Sequence, residues 1–388
     1  VGNLSKAKVF NIMYVQSKPM SLYIANMVKK YFCVAFIIMG LVPLSIRSQE
    51  VLRDSTKNLK IAAFPVVFYT PETELGFGGV AIGTFHLKDE SEETRRCTAQ
   101  LGISYTTKDQ FLLYAPFEFY RDNEKWRAIG ELGFYKYFYN FYGLGIDSRK
   151  EDEETYETTF PRARLSFLRE VFNNFSIGLG YELDVFTNLK IKEGGILEST
   201  DVSGKKDGTV SNIGLRAFYD TRDHLFFPTR GLYIQGSLFT SSKLLGSSFR
   251  YSKFEVDNRF YQKLGKKQVL ATNLFLANSS EGTPFYDLNY LGSKRTRGFE
   301  NRRFQDLAEL SFAMEYRFPI SGRFGGVVFG SSGTVAPNLG KTFSTAYKNS
   351  GGVGLRYVIN KRDGVRIRVD YGMSAEGGNF YFTIKEAF

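Results

Sequence analysis

Residues able to do acid–base work are few in this chain. Only two histidines, His86 and His224, occur among 388 residues, and neither has a serine, cysteine or carboxylate partner at a spacing that defines a catalytic group. Cys33 and Cys97 are the two cysteines. Cys33 lies in an apolar N-terminal run, which leaves Cys97 without an intramolecular disulfide partner. No His/Cys/Asp/Glu cluster has metal-ligand spacing, and no phosphate-cradling glycine loop, EF-hand loop or dinucleotide fingerprint occurs. The acidic run Glu151-Asp152-Glu153-Glu154 reads as a solvated loop. The expectation is no enzyme, no metal and no cofactor.

Two other segments carry dense charge beside glycine and aromatic residues. One is Asp220-Thr221-Arg222-Asp223-His224-Leu225-Phe226-Phe227-Pro228-Thr229-Arg230-Gly231, and the other is LGSKRTRGF over residues 291–299. What positions them follows from composition. Phe (37), Tyr (24) and Gly (38) are abundant while Pro (10) and Trp (1) are scarce, a bias toward strands joined by turns. The net charge of +11 suggests a polyanion partner at first sight. Six of those charges fall in residues 1–48, which hold no acid, leaving +5 on the rest. That surplus is too dilute to indicate nucleic acid.

Val28-Lys29-Lys30, the apolar run Tyr31–Leu44 and the polar stretch 45–49 have the layout of a secretory signal peptide. The run is too short to span a bilayer as a helix. Met27 sits at its start, so residues 1–26 are expected to be a non-native or untranslated extension, 27–48 the signal and 49–59 a short periplasmic segment. Residues 60–388 form the body.

The body is a succession of two-residue alternations. Val365, Ile367, Val369 and Tyr371 alternate with Arg366, Arg368 and Asp370; Met314, Tyr316 and Phe318 alternate with Glu315 and Arg317. The pattern predicts about 16 strands, at 60–70, 75–88, 95–106, 110–121, 125–138, 156–170, 175–188, 210–220, 230–242, 249–264, 267–278, 308–319, 323–334, 350–359, 364–373 and 378–388. Connections after even strands are short (Asn173-Asn174, Gly265-Lys266, Ser321-Gly322, Lys361-Arg362-Asp363). The longest, 139–155, 189–209, 279–307 and 335–349, all follow odd strands. Short periplasmic turns opposite long outer loops, with strands of about 10 residues, define an all-β transmembrane antiparallel barrel. A soluble sandwich would concentrate its aromatics mid-strand. Here Phe68, Tyr69, Tyr137, Phe138, Tyr139, Phe318, Tyr371 and Phe388 fall near strand ends, as interfacial girdles do.

With that count in place, the two charged segments, the hairpin from Phe64-Pro65 to Glu72 and the terminal Phe388 resemble the BamA/TamA-type barrel family, also called the bacterial surface antigen family. Its members carry a "DTRD…FPTRG" turn, here Asp220, Arg222, Asp223, Pro228 and Gly231, and an "RGF" tip in the sixth outer loop, here Arg297, Gly298 and Phe299 in loop 279–307. The resemblance implies that Arg297 pairs with an acid on the barrel wall. The family's F-x-D-x-G wall motif aligns with Phe329-Gly330-Ser331-Ser332-Gly333, where Ser331 replaces the acid, so the resemblance passes that role to Asp370 or Glu315. It also implies a weak closing seam between the strand of Pro65 and the strand ending at Phe388. Proline's missing N–H fits a seam and equally fits a bulge.

Only about a dozen residues lie between the expected cleavage site and the first strand, too few for the family's periplasmic POTRA modules. The resemblance therefore implies a member lacking them, served by a separate periplasmic partner. Its implied role is translocation or assembly of polypeptide or lipid at the outer membrane, among outer-membrane lipids and lipopolysaccharide. The alternatives are a plugged or gated channel for small solutes and a surface adhesion or structural barrel.

Overall fold

The computed structural model describes residues 59–70, 74–91, 94–224, 227–292, 294–358, 366–384 and 386–388. The chain divides into two units, 1–57 and 58–388. The first unit lies outside the described residues, and with it the expected extension, the signal peptide and all but the end of the short periplasmic segment. The Lys361-Arg362-Asp363 turn and the side chains of Phe68 and Tyr69 also lie outside them.

Sixteen strands form one antiparallel sheet in chain order. They begin with β1 (Lys60–Thr70), β2 (Glu74–Phe85), β3 (Cys97–Thr106), β4 (Phe111–Arg121), β5 (Trp126–Phe141) and β6 (Glu154–Phe172). Next come β7 (Phe175–Lys190), β8 (Gly208–Asp220), β9 (Gly231–Ser241), β10 (Tyr251–Leu264) and β11 (Gln268–Ser279). A separate short pair, β12 (Asn289–Leu291) and β13 (Phe304–Asp306), interrupts the series. The sheet then resumes with β14 (Ala308–Ser321), β15 (Phe324–Ala336), β16 (Lys348–Val358), β17 (Arg366–Ser374) and β18 (Gly377–Ile384).

The two faces are inverted relative to a water-soluble β-protein. On β14, Phe312, Met314 and Tyr316 are exposed while Ser311, Ala313, Glu315 and Arg317 are buried. On β6, Leu165 and Phe167 point outward with Ser166 and Leu168 inward. Exposed Leu101, Ile103, Leu179, Leu215, Leu238, Val353, Leu355, Phe380 and Phe382 continue the apolar outer band. Buried Arg127, Asp184, Asp257, Asn273, Arg356, Arg368 and Asp370 continue the polar interior. In water this arrangement would forfeit apolar burial; in lipid the bilayer covers the outer band and the barrel satisfies its own polar groups.

The loop asymmetry is as the alternation predicts. Asn173-Asn174 makes a two-residue turn with Asn174 at φ +65°, whereas residues 280–307 separate β11 from β14. Two strand readings need correction. The second strand stops at Phe85, and His86 leaves the ladder to bond the Thr94 carbonyl through Nε2 at 2.9 Å. The last strand stops at Ile384 instead of running to Phe388. Ala387 and Phe388 turn inward onto Tyr261, Ala271 and Ala313, and the Phe388 carbonyl accepts from Arg317 Nη2 at 3.0 Å. β1 and β18 lie beside each other, but among the described residues no ladder joins them, so the barrel is not closed by hydrogen bonds there. Pro65 pairs opposite Gly79 in an unbroken β1–β2 register, which rules out a bulge against β2.

Candidate functional site

Segment 280–307 is gathered at its base before it reaches the wall. The β11–β14 register brings Asn278 opposite Ala308. Above it, Ser279 N–H donates to the Leu307 carbonyl at 2.7 Å, and Asn289 Nδ2 donates to the same carbonyl at 2.6 Å. β12 and β13 then zip Asn289–Leu291 against Phe304–Asp306. Leu291, Phe299 and Phe304 pack with Ile146 and Val335 into a small buried core, so the segment is held by apolar burial as well as by charge.

The tip approaches β17 backbone to backbone. Gly298 has φ +115°, and a Cβ there would meet the Met373 carbonyl oxygen at 2.8 Å. A Cβ on Gly372 would meet Gly298 N at 2.9 Å. Two glycines are required because neither strand nor tip has room for a side chain at the contact. Tyr381 Oη accepts from Gly298 N–H at 2.9 Å and donates to the Phe299 carbonyl at 3.2 Å. Ser374 Oγ donates to the Gly298 carbonyl at 3.0 Å.

This contact delivers Arg297 to a wholly buried position, 1% exposed. Its Nη1 donates to Asp370 and its Nη2 to Glu315, both 0% exposed. Its guanidinium carbon stands 3.6 Å from the Phe329 ring centroid. The structure thus joins Arg297 to both candidate acids at once. Ser331, in the position of the family's acid, instead bonds Ser350 at 2.6 Å between hydroxyls.

Charge spreads further than the sequence reading allowed. Arg317 holds the other Glu315 oxygen at 2.7 Å. Arg356 bonds Asp370 at 2.5 Å and Glu386 at 2.7 Å. Arg368 lies 3.4 Å from Asp370, and Arg366 lies 3.8 Å from Glu386. Five guanidiniums therefore share three carboxylates. Arg317, Arg356, Glu386 and Tyr381 were not foreseen. The alternations that turn Arg366, Arg368 and Asp370, and Glu315 and Arg317, to the polar face are the available signals for the network, and they do not say which partners meet in space.

The described residues of the 220–231 segment, 220–224 and 227–231, form a built connection between β8 and β9. Arg222 grips Asp220 with two bonds of 2.8 Å and stacks over Tyr233 at 4.2 Å. Asp223 accepts from Thr229 N–H, Thr229 Oγ1 and Arg230 N–H at 2.8, 2.5 and 3.3 Å. Burial pushes the Asp223 carboxyl up, but these donors bring it net below the usual carboxylate range. His224 is held below its ordinary value by burial, with Asp223 opposing and Arg366 adding to the shift. Pro228 is buried, and Gly231 at φ +111° leaves 2.4 Å between a would-be Cβ and the Thr221 carbonyl oxygen. All of these interactions fix the turn. Among the described residues no group of three or more His, Cys, Asp or Glu side chains is placed to share a metal ion.

Fold and site together define a 16-stranded outer-membrane-type barrel whose longest loop is pinned to its polar wall. Residues 92–388 match the Omp85 superfamily domain, and the chain belongs to that superfamily, as a BamA/TamA-type barrel. Similar solved structures include BamA from Haemophilus ducreyi lacking POTRA domains 1–3, with a TM-score of 0.54 and 17% identity over 86% of this chain and 71% of that one. CdiB from Escherichia coli (TM-score 0.57, 10% identity, 86% of this chain) and CdiB from Acinetobacter baumannii (0.52, 10%, 85%) share the fold. This chain spans 62% and 60% of those two CdiB chains. No curated protein matches it in sequence.

Proposed function

We propose that this barrel moves or inserts polypeptide or lipid at the outer membrane, with segment 280–307 as a lumenal element locked by Arg297 and the β1–β18 boundary as the place of opening. The observation that carries the reading is the pairing of an unladdered boundary with a tip bonded to both strands of the final hairpin. Arg297 is held by Asp370 on β17, and Gly298 by Tyr381 on β18. The position of the tip is thereby coupled to the strands that would have to separate. A plugged channel for small solutes is the second reading, favoured by a cavity of about 840 Å³ between the segment and the wall.

The test uses cysteines placed in β1 and β18 of a Cys97→Ser background, in proteoliposomes. Oxidation is expected to abolish accelerated insertion of an unfolded barrel protein, or lipid exchange, and reduction to restore it. Insertion that continues with the seam cross-linked overturns lateral opening. Ion conductance released by Arg297→Ala without any insertion activity would assign the channel.

A further inference from the structure

The cavity beside the tip carries a charge imbalance that the loop lock does not use. Eight cationic and five acidic residues line its volume of about 840 Å³. The acids are already engaged: Asp257 is gripped by Arg259 and by Asn273 Nδ2, and Glu309 faces Arg295 at 3.7 Å. Of the three cations in excess, Arg302 is occupied by Gln305 Oε1 and the Phe285 carbonyl, and two are left over. Arg368 is 3% exposed, yet its Nε and Nη1 have no hydrogen-bond partner among the described residues. Its nearest acid, Asp370, already serves Arg297 and Arg356. Lys294, on the tip, makes no ion pair or hydrogen bond among the described residues and faces the same cavity. A buried guanidinium with unmet donors costs free energy that a bound anion offsets.

We propose that Lys294 and Arg368, flanked by Arg259 and Arg295, form a binding site for a phosphate-bearing anion inside the barrel. A phosphate dianion matches the local surplus, accepts from several planar and tetrahedral donors at once and is smaller than the cavity, which leaves room for whatever the phosphate is attached to. The surroundings of Lys294 agree with an empty cationic site. Burial within the barrel and the nearby Arg259 and Arg295 bring its pKa down to about 8, Asp257 opposing and Arg368 adding. The assignment does not depend on lateral opening, because it concerns the cavity and not the seam.

The full chain in detergent, titrated calorimetrically with inorganic phosphate at pH 7 and constant ionic strength, tests it. Saturable binding weakened at least about tenfold in Lys294→Gln is expected for a free phosphate. A lipid-borne phosphate instead gives no heat with inorganic phosphate, but raises the melting temperature in phosphatidylcholine nanodiscs only when phosphatidic acid is added, and that rise disappears in Lys294→Gln. Lys294 makes no ion pair or hydrogen bond among the described residues, so this variant tests the site without removing a bond of the buried network; Arg368→Gln provides the second arm. No response to either probe, or responses equal in wild type and Lys294→Gln, overturns the site.

Discussion

Removing Arg297 and removing Asp370 break the same bond, yet the network makes them unequal. When one partner of an isolated buried pair is deleted, the orphaned charge costs about 3–5 kcal/mol. Arg297→Ala orphans nothing, because Glu315 keeps Arg317 at 2.7 Å and Asp370 keeps Arg356 at 2.5 Å. It also reduces the guanidinium excess. Its cost is confined to the lost stacking on Phe329 and to tip docking, about 1–2 kcal/mol. Asp370→Asn moves the balance the other way, leaving five guanidiniums on two carboxylates, and incurs the full 3–5 kcal/mol or so. Arg368→Gln removes a surplus charge and is expected to be neutral or stabilising when no anion is bound. Urea unfolding in lipid vesicles, followed by the fluorescence of the single Trp126, measures all three. Equal losses for Arg297→Ala and Asp370→Asn, or the reverse order, would refute the shared-network account and restore a simple two-residue salt bridge.

Other consequences are local. Gly298→Ala puts a Cβ 2.8 Å from the Met373 carbonyl oxygen in a left-handed conformation, so the tip undocks and the segment becomes cleavable by added protease while heat-modifiable barrel migration persists. Gly231→Ala meets the Thr221 carbonyl at 2.4 Å and is expected to cost about 2–4 kcal/mol, read as reduced yield of folded barrel. Asp223→Ala removes three acceptor bonds from the same turn, and its yield should fall less. Lys294 has a folded pKa of about 8 against 10.5 unfolded. The unfolded chain therefore binds more protons between those values, and stability rises as pH increases from about 8 to about 10.5. Lys294→Met should flatten that rise, as judged by urea midpoints at pH 7 and pH 10.

Strand number, alternation and loop asymmetry were legible because each depends only on period two and turn residues, which are local. Val369 outward and Arg368 and Asp370 inward follow from a single six-residue stretch. Phe388 was misplaced for the same reason. Phe380 and Phe382 face outward, and continuing their period puts Phe388 outward too. The chain instead leaves the ladder because Arg317, far away in sequence, bonds the Phe388 carbonyl. The Arg297 site was half legible. Resemblance supplied the arginine and the need for an acid, and alternation turned Asp370 inward, but the remaining guanidiniums come from β14, β16 and β17, and their convergence is set by register and barrel curvature. The β12–β13 pair, three residues on each side, is shorter than any pattern that alternation can resolve.

The clamp at the base of segment 280–307 makes it a leash of two lengths. Its ends are tied to each other at Ser279 and Leu307, so freeing the tip breaks no rung between barrel strands. While β12 and β13 stay zipped, residues 292–296 on one side and 298–303 on the other tether Arg297 to the fixed stem, and the shorter arm sets a radius of about 17 Å for five extended residues. Unzipping that three-rung stem leaves residues 298–307 as the shorter arm, about 34 Å, more than the roughly 30 Å hydrocarbon thickness. Loss of the guanidinium bonds alone thus gives a short swing near the wall. Loss of the stem as well lets the tip travel from one mouth of the barrel to the other.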